Sequence, residues 1–133
     1  PMTLIITPFY AALGALFYIF LAKQVVNNRW KFKKGLGSVE GELEQAIRAH
    51  GTFSEYVPLA FLLISFLDAQ LWNSLGIHAL CAALLICRFL HFMGMKKSSG
   101  PSKGRFYGTA GTFLILALSS FALIFSFVKT MML

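Results

Sequence analysis

Long apolar runs alternate along the chain with short polar, mostly basic segments. No charged residue precedes Lys23, 19 uncharged residues separate Asp68 from Arg88, and 23 separate Arg105 from Lys129. About 20 apolar residues cross a hydrocarbon core roughly 30 Å thick, so each run predicts a membrane-spanning helix. A fourth run, between Glu55 and Asp68, has only 12 uncharged residues, which reach about 18 Å at about 1.5 Å per residue. It is too short to cross by itself. Either it is a re-entrant piece, or the span begins near Ala46 and carries Arg48, His50 and Glu55 into the membrane.

Loop charge chooses between these. Residues 27–45, NNRWKFKKGLGSVEGELEQ, and 96–105, KKSSGPSKGR, hold nearly all the basic residues, whereas the connection DAQLWNS at 68–74 holds none. Basic loops stay on the cytoplasmic side, so both are expected there, with crossings at 46–67 and 71–95 between them. The expected fold is an all-α integral membrane protein: a single four-helix transmembrane domain over residues 1–133. Its helices are placed at about 4–26, 39–67, 71–95 and 105–129, with both termini outside the cytoplasm. The first run has no basic n-region and is too long for a signal-peptide core, so it is expected to remain as the first helix. Numbering from Pro1 implies an initiator methionine removed or left out.

Composition agrees with a membrane protein. The chain is 57% hydrophobic and 13% charged, against about 25% charged in soluble domains. The net charge of +7 flanks the spans, where anionic lipid headgroups are its natural counterpart, and no nucleic-acid partner is implied. Cys81 and Cys87 lie about 240° apart on one helix, which makes neither a disulfide nor a metal motif. No metal is expected. GLGSVEG at 35–41 approaches a dinucleotide-binding loop, but no strand precedes it. Small residues at Ala11, Gly14 and Ala15, and at Gly104, Gly108, Gly111, Ser119, Ala122 and Ser126, suit close helix packing.

The second helix carries the informative charges. Ser38 is the expected N-cap, with Glu40, Glu42 and Glu44 in the first turns, where the helix dipole favours acids. At 100° per residue, Glu44, Arg48, Thr52 and Glu55 fall within about 40° of one line, with Gln45 and Tyr56 beside it. His50 lies about 160° away and needs a different neighbour. Pro58 removes a backbone donor and crowds the Ser54 carbonyl. On the third helix, Cys81, Leu84, Arg88, His91 and Met95 share helical spacing. Counted from the basic end, His50, His91, Arg88 and Glu55 occupy one depth band. An unpaired charge there costs about 2.5–3.5 kcal/mol, so Glu55 requires Arg48 or Arg88 nearby. Two arginines and two histidines exceed what one acid needs. That surplus suits an anionic ligand, while a purely structural ion pair and a haem held by His50 and His91 stand as alternatives.

The stretch RAHGTFSEYVPL at 48–59, with RFLHFMGM at 88–95, resembles the membrane-associated proteins in eicosanoid and glutathione metabolism, the MAPEG family, and within it the small bacterial members. The likeness spans the whole chain, and its specific part is the second-helix motif. It implies a homotrimer of four-helix subunits that binds glutathione between subunits and turns its thiolate on lipophilic electrophiles or hydroperoxides. By that resemblance Arg48, His50, Thr52, Glu55, Tyr56, Arg88 and His91 contact glutathione. Arg29, or Lys31, gives a first-helix basic contact, and Arg105 stabilises the thiolate. A cation beside a thiol whose ordinary pKa is about 8.5 favours the nucleophilic form. Thr52 stands where the family pattern has Asn, and His91 and Met95 where several eukaryotic members have tyrosines, which argues against eicosanoid-synthase specificity. A non-catalytic, lipid-binding trimer of the same fold is the second reading.

Overall fold

In the computed structural model, which describes residues 4–97 and 102–132, four α-helices follow one another: α1 Ile6–Phe32, α2 Glu42–Ala69, α3 Ser74–Lys97 and α4 Lys103–Met132. Each is long and apolar enough to cross a membrane. Helix α2 settles the ambiguity of the short apolar run. It continues unbroken for 28 residues through Pro58, about 42 Å at 1.5 Å per residue, so Arg48, His50 and Glu55 share one rod with LAFLLISFL. The re-entrant alternative is therefore wrong. Pro1 and part of the second basic loop, 98–101, lie outside the described residues.

The core forms where α2 and α3 turn apolar faces toward each other and their neighbours. Phe53, Val57, Ala60, Ile64 and Leu67 of α2 meet Ile77, Cys81 and Leu84 of α3, with Leu21 of α1 and Ile115 of α4 closing the cluster. Large apolar side chains such as Leu16, Ile19, Phe121 and Phe125 point outward, which a lipid solvent accommodates and water does not. Backbones approach most closely between α3 and α4. A Cβ added to Gly108 would lie 2.6 Å from the Cys87 carbonyl oxygen and 2.9 Å from His91 Cβ, and one on Gly104 would lie 2.7 Å from the Leu90 carbonyl oxygen. The GxxxG spacing thus serves a helix pair within one subunit.

Two helix ends differ from the sequence expectation. Helix α2 starts at Glu42 behind Gly41, without a side-chain cap, so Ser38 is not its N-cap and Glu40 stays in the loop. The cause is local. Gly37 (φ 74°) and Gly41 (φ 103°) adopt left-handed backbone, which glycine reaches without steric cost, and the helix begins only after the second. Glu42 and Glu44 do occupy its first turn. Helix α1 runs on to Phe32 and closes on Lys33 in the left-handed conformation (φ 52°, ψ 44°), with Arg29 and Lys31 in its last turn, where cations complement the dipole.

At the opposite end, buried Asp68 terminates α2 and also serves α1. Its Oδ2 accepts the Thr7 backbone N–H at 2.8 Å, placing a carboxylate on the free amides of the α1 N-terminus. Tyr10 and His78 Nδ1 hydrogen-bond at 2.8 Å, and Gln70 Oε1 accepts from Ser126 Oγ at 2.9 Å. These contacts fix the helices at the end remote from the basic loop, leaving the charged band nearer the other end.

Candidate functional site

The site is built around one buried cation. Arg88 is only 2% exposed and extends from α3 between α2 and α4. Its Nη2 donates to Thr52 Oγ1 at 2.8 Å and its Nη1 to Thr112 Oγ1 at 3.2 Å. Each threonine passes its own proton on along its helix: Thr52 Oγ1 donates to the Arg48 carbonyl at 2.9 Å and Thr112 Oγ1 to the Gly108 carbonyl at 2.7 Å. Because the hydroxyl protons are committed to backbone, the oxygen lone pairs face the guanidinium. The third guanidinium nitrogen, Nε, is buried without a partner among the described residues. The Tyr56 ring lies 5.9 Å from Arg88 Cζ, within cation–π range, and is steadied edge-on by Phe113 at 5.4 Å.

No carboxylate among the described residues pairs with Arg88. Glu55 instead faces Arg48 on its own helix, Nη1 to Oε1 at 3.9 Å, with both side chains 53% exposed. That separation is too long for a hydrogen bond, so the pair is only loosely neutralised. His91 is buried one turn along α3 from Arg88. Arg105 opens α4 beside Ser102, whose Oγ accepts its backbone N–H at 3.3 Å, and its backbone nitrogen passes close to Gly94. Arg88 has no paired carboxylate among the described residues, and a buried cation with Nε unused favours an anionic partner.

The structure thus gathers Arg48, Thr52, Glu55, Tyr56, Arg88, His91 and Arg105 on the α2–α3–α4 side. It does not bring His50 or Arg29 to them. His50 stacks on Tyr18 of α1 with ring centroids 4.7 Å apart, as its position off the polar stripe requires. It does not face His91, which packs against Gly108, so the two-histidine haem reading fails on geometry. Arg29 braces the first loop, its Nη1 donating to the carbonyls of Lys34 at 3.1 Å and Gly37 at 3.0 Å; Lys31 is taken up by Glu42 at 3.0 Å. Thr112 is the residue the sequence reading missed. Its signal was present, since it lies one turn beyond Gly108 on the small-residue stripe that continues to Ser119.

Comparison with known proteins matches the chain to a family. The MAPEG family model aligns with residues 7–125, which reach into all four helices and stop within α4. The chain belongs to the MAPEG family. Within it, the chain is similar to the inner membrane protein YecN of Escherichia coli K12, 31% identical over 90 residues that cover 67% of this chain and 69% of that protein. YecN of Escherichia coli O6:H1 matches to the same extent. As a MAPEG membrane protein, the chain carries the second-helix motif on α2 and the RFLHFMGM segment on α3. On α2, the hydroxyl of Thr52 is engaged with Arg88.

Proposed function

We propose that the protein is a glutathione-dependent transferase or peroxidase of the bacterial inner membrane, acting as a homotrimer on lipophilic electrophiles or hydroperoxides. The observation that carries this reading is the buried Arg88 guanidinium, held by two hydroxyls with Nε unused and no carboxylate beside it. Glutathione supplies two carboxylates and a thiol. In the proposed complex Arg48, Arg88 and His91 meet the carboxylates, Glu55 the ammonium, and Thr52 and Tyr56 the peptide groups, while Arg105 stabilises the thiolate. The thiolate then attacks an electrophilic carbon, and the C–S bond forms as the leaving group departs with its bonding pair or, at an activated double bond, as the displaced π pair takes a proton from solvent. With a hydroperoxide it attacks the terminal oxygen, breaking the O–O bond to give an alcohol and a sulfenic acid that a second glutathione converts to disulfide and water.

Oligomerisation follows from the same charges. In one subunit Arg48 and Glu55 would meet lipid while half exposed, at a cost of about 2.5–3.5 kcal/mol for a membrane-embedded charge. A second copy laid over α2 removes that exposure, and it lets His50 and Arg29 of the adjoining subunit complete the site. With the basic loops cytoplasmic, as their charge favours, glutathione enters from the cytoplasm and both termini lie on the other side. Calorimetric titration of glutathione into detergent-purified protein tests the reading: saturable binding in the wild type and its loss in Arg48→Ala are expected. Absence of saturable binding, with other thiols tried, rejects it. The alternative, a non-catalytic, lipid-binding trimer of the same fold, would bind glutathione without developing thiolate absorbance or conjugating a small electrophile.

A further inference from the structure

Apart from Arg29, the residues that shape the C-terminal end of α1 have no part in the proposed glutathione complex. The Lys34 N–H donates to the Arg29 carbonyl at 3.0 Å and the Lys33 N–H to the Trp30 carbonyl at 3.3 Å, the paired bonds of a Schellman turn. That turn needs one left-handed residue, and here it is Lys33 (φ 52°, ψ 44°), at a position where glycine would carry no strain. Arg29 braces the returning chain through the Lys34 and Gly37 carbonyls. A cavity of about 460 Å³ results, bounded by Val26, Arg29, Trp30, Lys33, Lys34 and Gly35. Three cations line it, and no described Asp or Glu does. Lys31, about 200° around the axis from Arg29, is the cation that meets the loop acid, Glu42.

Membrane depth sorts these groups. Counted from Ile6, the first residue of α1, about 20 residues at about 1.5 Å each cross the roughly 30 Å hydrocarbon core and bring Val26 to its edge. Trp30 follows about 6 Å further on, at headgroup level, and Lys33 lies just beyond it. Val26 is 51% and Trp30 81% exposed, as suits an acyl boundary and an interfacial aromatic. The cavity is therefore apolar where acyl chains end and cationic where lipid phosphates lie. We propose that it binds an anionic phospholipid of the cytoplasmic leaflet, of the phosphatidylglycerol or cardiolipin kind. The phosphodiester accepts from Lys33 and Lys34 beside the braced Arg29, and the acyl chains run past Trp30 and Val26. Phosphatidylethanolamine would bring its ammonium against the same three cations, so the wall discriminates by charge. A lysine in left-handed backbone, uncommon for a residue with a side chain, then has a reason: it sets a cation at the level of the phosphate. Such binding does not depend on glutathione, which meets neither lysine in the proposed complex.

The test embeds the full-length protein in nanodiscs containing equal amounts of phosphatidylethanolamine and phosphatidylglycerol, and native mass spectrometry identifies the lipid each copy retains on release. The wild type is expected to retain phosphatidylglycerol in preference. Lys33→Gln with Lys34→Gln should lower that preference by about fivefold for each lysine. Lys96→Gln with Lys97→Gln removes the same charge from exposed positions at the end of α3 and should leave the preference as in the wild type, which separates a site from general basicity. Lys33→Gly separates strain from binding. Without added phosphatidylglycerol it should unfold in detergent at a higher temperature than the wild type, and in nanodiscs it should lose about fivefold in preference. Equal retention of the two lipids by the wild type overturns the proposal. A preference that survives the changes at Lys33 and Lys34, or falls as far with the changes at Lys96 and Lys97, also overturns it. Lys33 and Lys34 are exposed, so their glutamine variants are expected to fold.

Discussion

Replacing Thr52 with valine keeps the side-chain shape and removes the acceptor of the 2.8 Å bond from Arg88 Nη2. The guanidinium would then have Nη2 and Nε both without partners, with only the 3.2 Å contact to Thr112 left. Hydrogen bonds to charged groups contribute about 1.5–3 kcal/mol. Interhelical bonds between membrane helices average about 0.6 and reach about 1.7 kcal/mol. A short, charge-assisted bond in a dry site belongs near the top of the membrane range, so Thr52→Val is expected to cost about 1.5 kcal/mol. That is about tenfold in the folding equilibrium. The lost Thr52 bond to the Arg48 carbonyl adds little, because that carbonyl belongs to the regular helix ladder. The assay is reversible denaturation in mixed micelles, followed by far-ultraviolet circular dichroism, for Thr52→Val, Arg88→Met and the double variant. A coupling energy of about 1–2 kcal/mol between the two sites is expected, and Thr52→Ser should lie within about 1 kcal/mol of the wild type. Wild-type stability in Thr52→Val together with zero coupling would show that the threonine does not hold the arginine.

Arg88→Met should separate stability from function, since replacing a buried charge by an apolar side chain of similar volume is often neutral or stabilising: unfolding is expected to change little or shift upward while glutathione binding is lost. Adding a methyl at Gly111 drives it into Cys87 Sγ, so Gly111→Ala is expected to cost about 1–3 kcal/mol. The same denaturation assay should show most of that cost relieved in the double variant with Cys87→Ala. Asp68→Ala leaves the buried Thr7 N–H without its acceptor and is expected to cost about 1–2 kcal/mol, whereas Asp68→Asn, which keeps an acceptor oxygen, should cost less. Breaking the exposed Lys31–Glu42 pair with Lys31→Ala should change stability by less than about 1 kcal/mol.

The four helices were legible because long apolar runs suit membrane-spanning helices, and loop charge then favoured a second helix that includes Arg48, His50 and Glu55, as the unbroken α2 does. Helical periodicity also separated His50 from the polar stripe before its stacking on Tyr18 could be seen. Periodicity is silent about partners. It offered Arg48 or Arg88 as the counter-ion of Glu55 and could not choose: Glu55 faces Arg48, whereas the Arg88 side chain threads between α2 and α4 to two threonines. The starting point of α2 was misread because Ser38 carries a capping signal of its own, while the deciding feature is the left-handed backbone at Gly37 and Gly41, which composition alone does not impose. Asp68 looked like a boundary marker because its partner, the α1 N-terminus, lies 61 positions away in sequence. The resemblance in RAHGTFSEYVPL pointed to Arg105, which no spacing rule connects to Arg88. The packing of His91 against Gly108 is visible only once α4 is folded against α3.

Ultraviolet difference spectroscopy of glutathione with the detergent-purified protein, in the wild type and in Arg105→Ala, measures binding and thiol ionisation together. The proposed site predicts a saturable thiolate band near neutral pH in the wild type and, in Arg105→Ala, retained binding with the band shifted to higher pH. No band in the wild type at saturating glutathione, or a band indifferent to Arg105, would contradict a thiolate-activating centre.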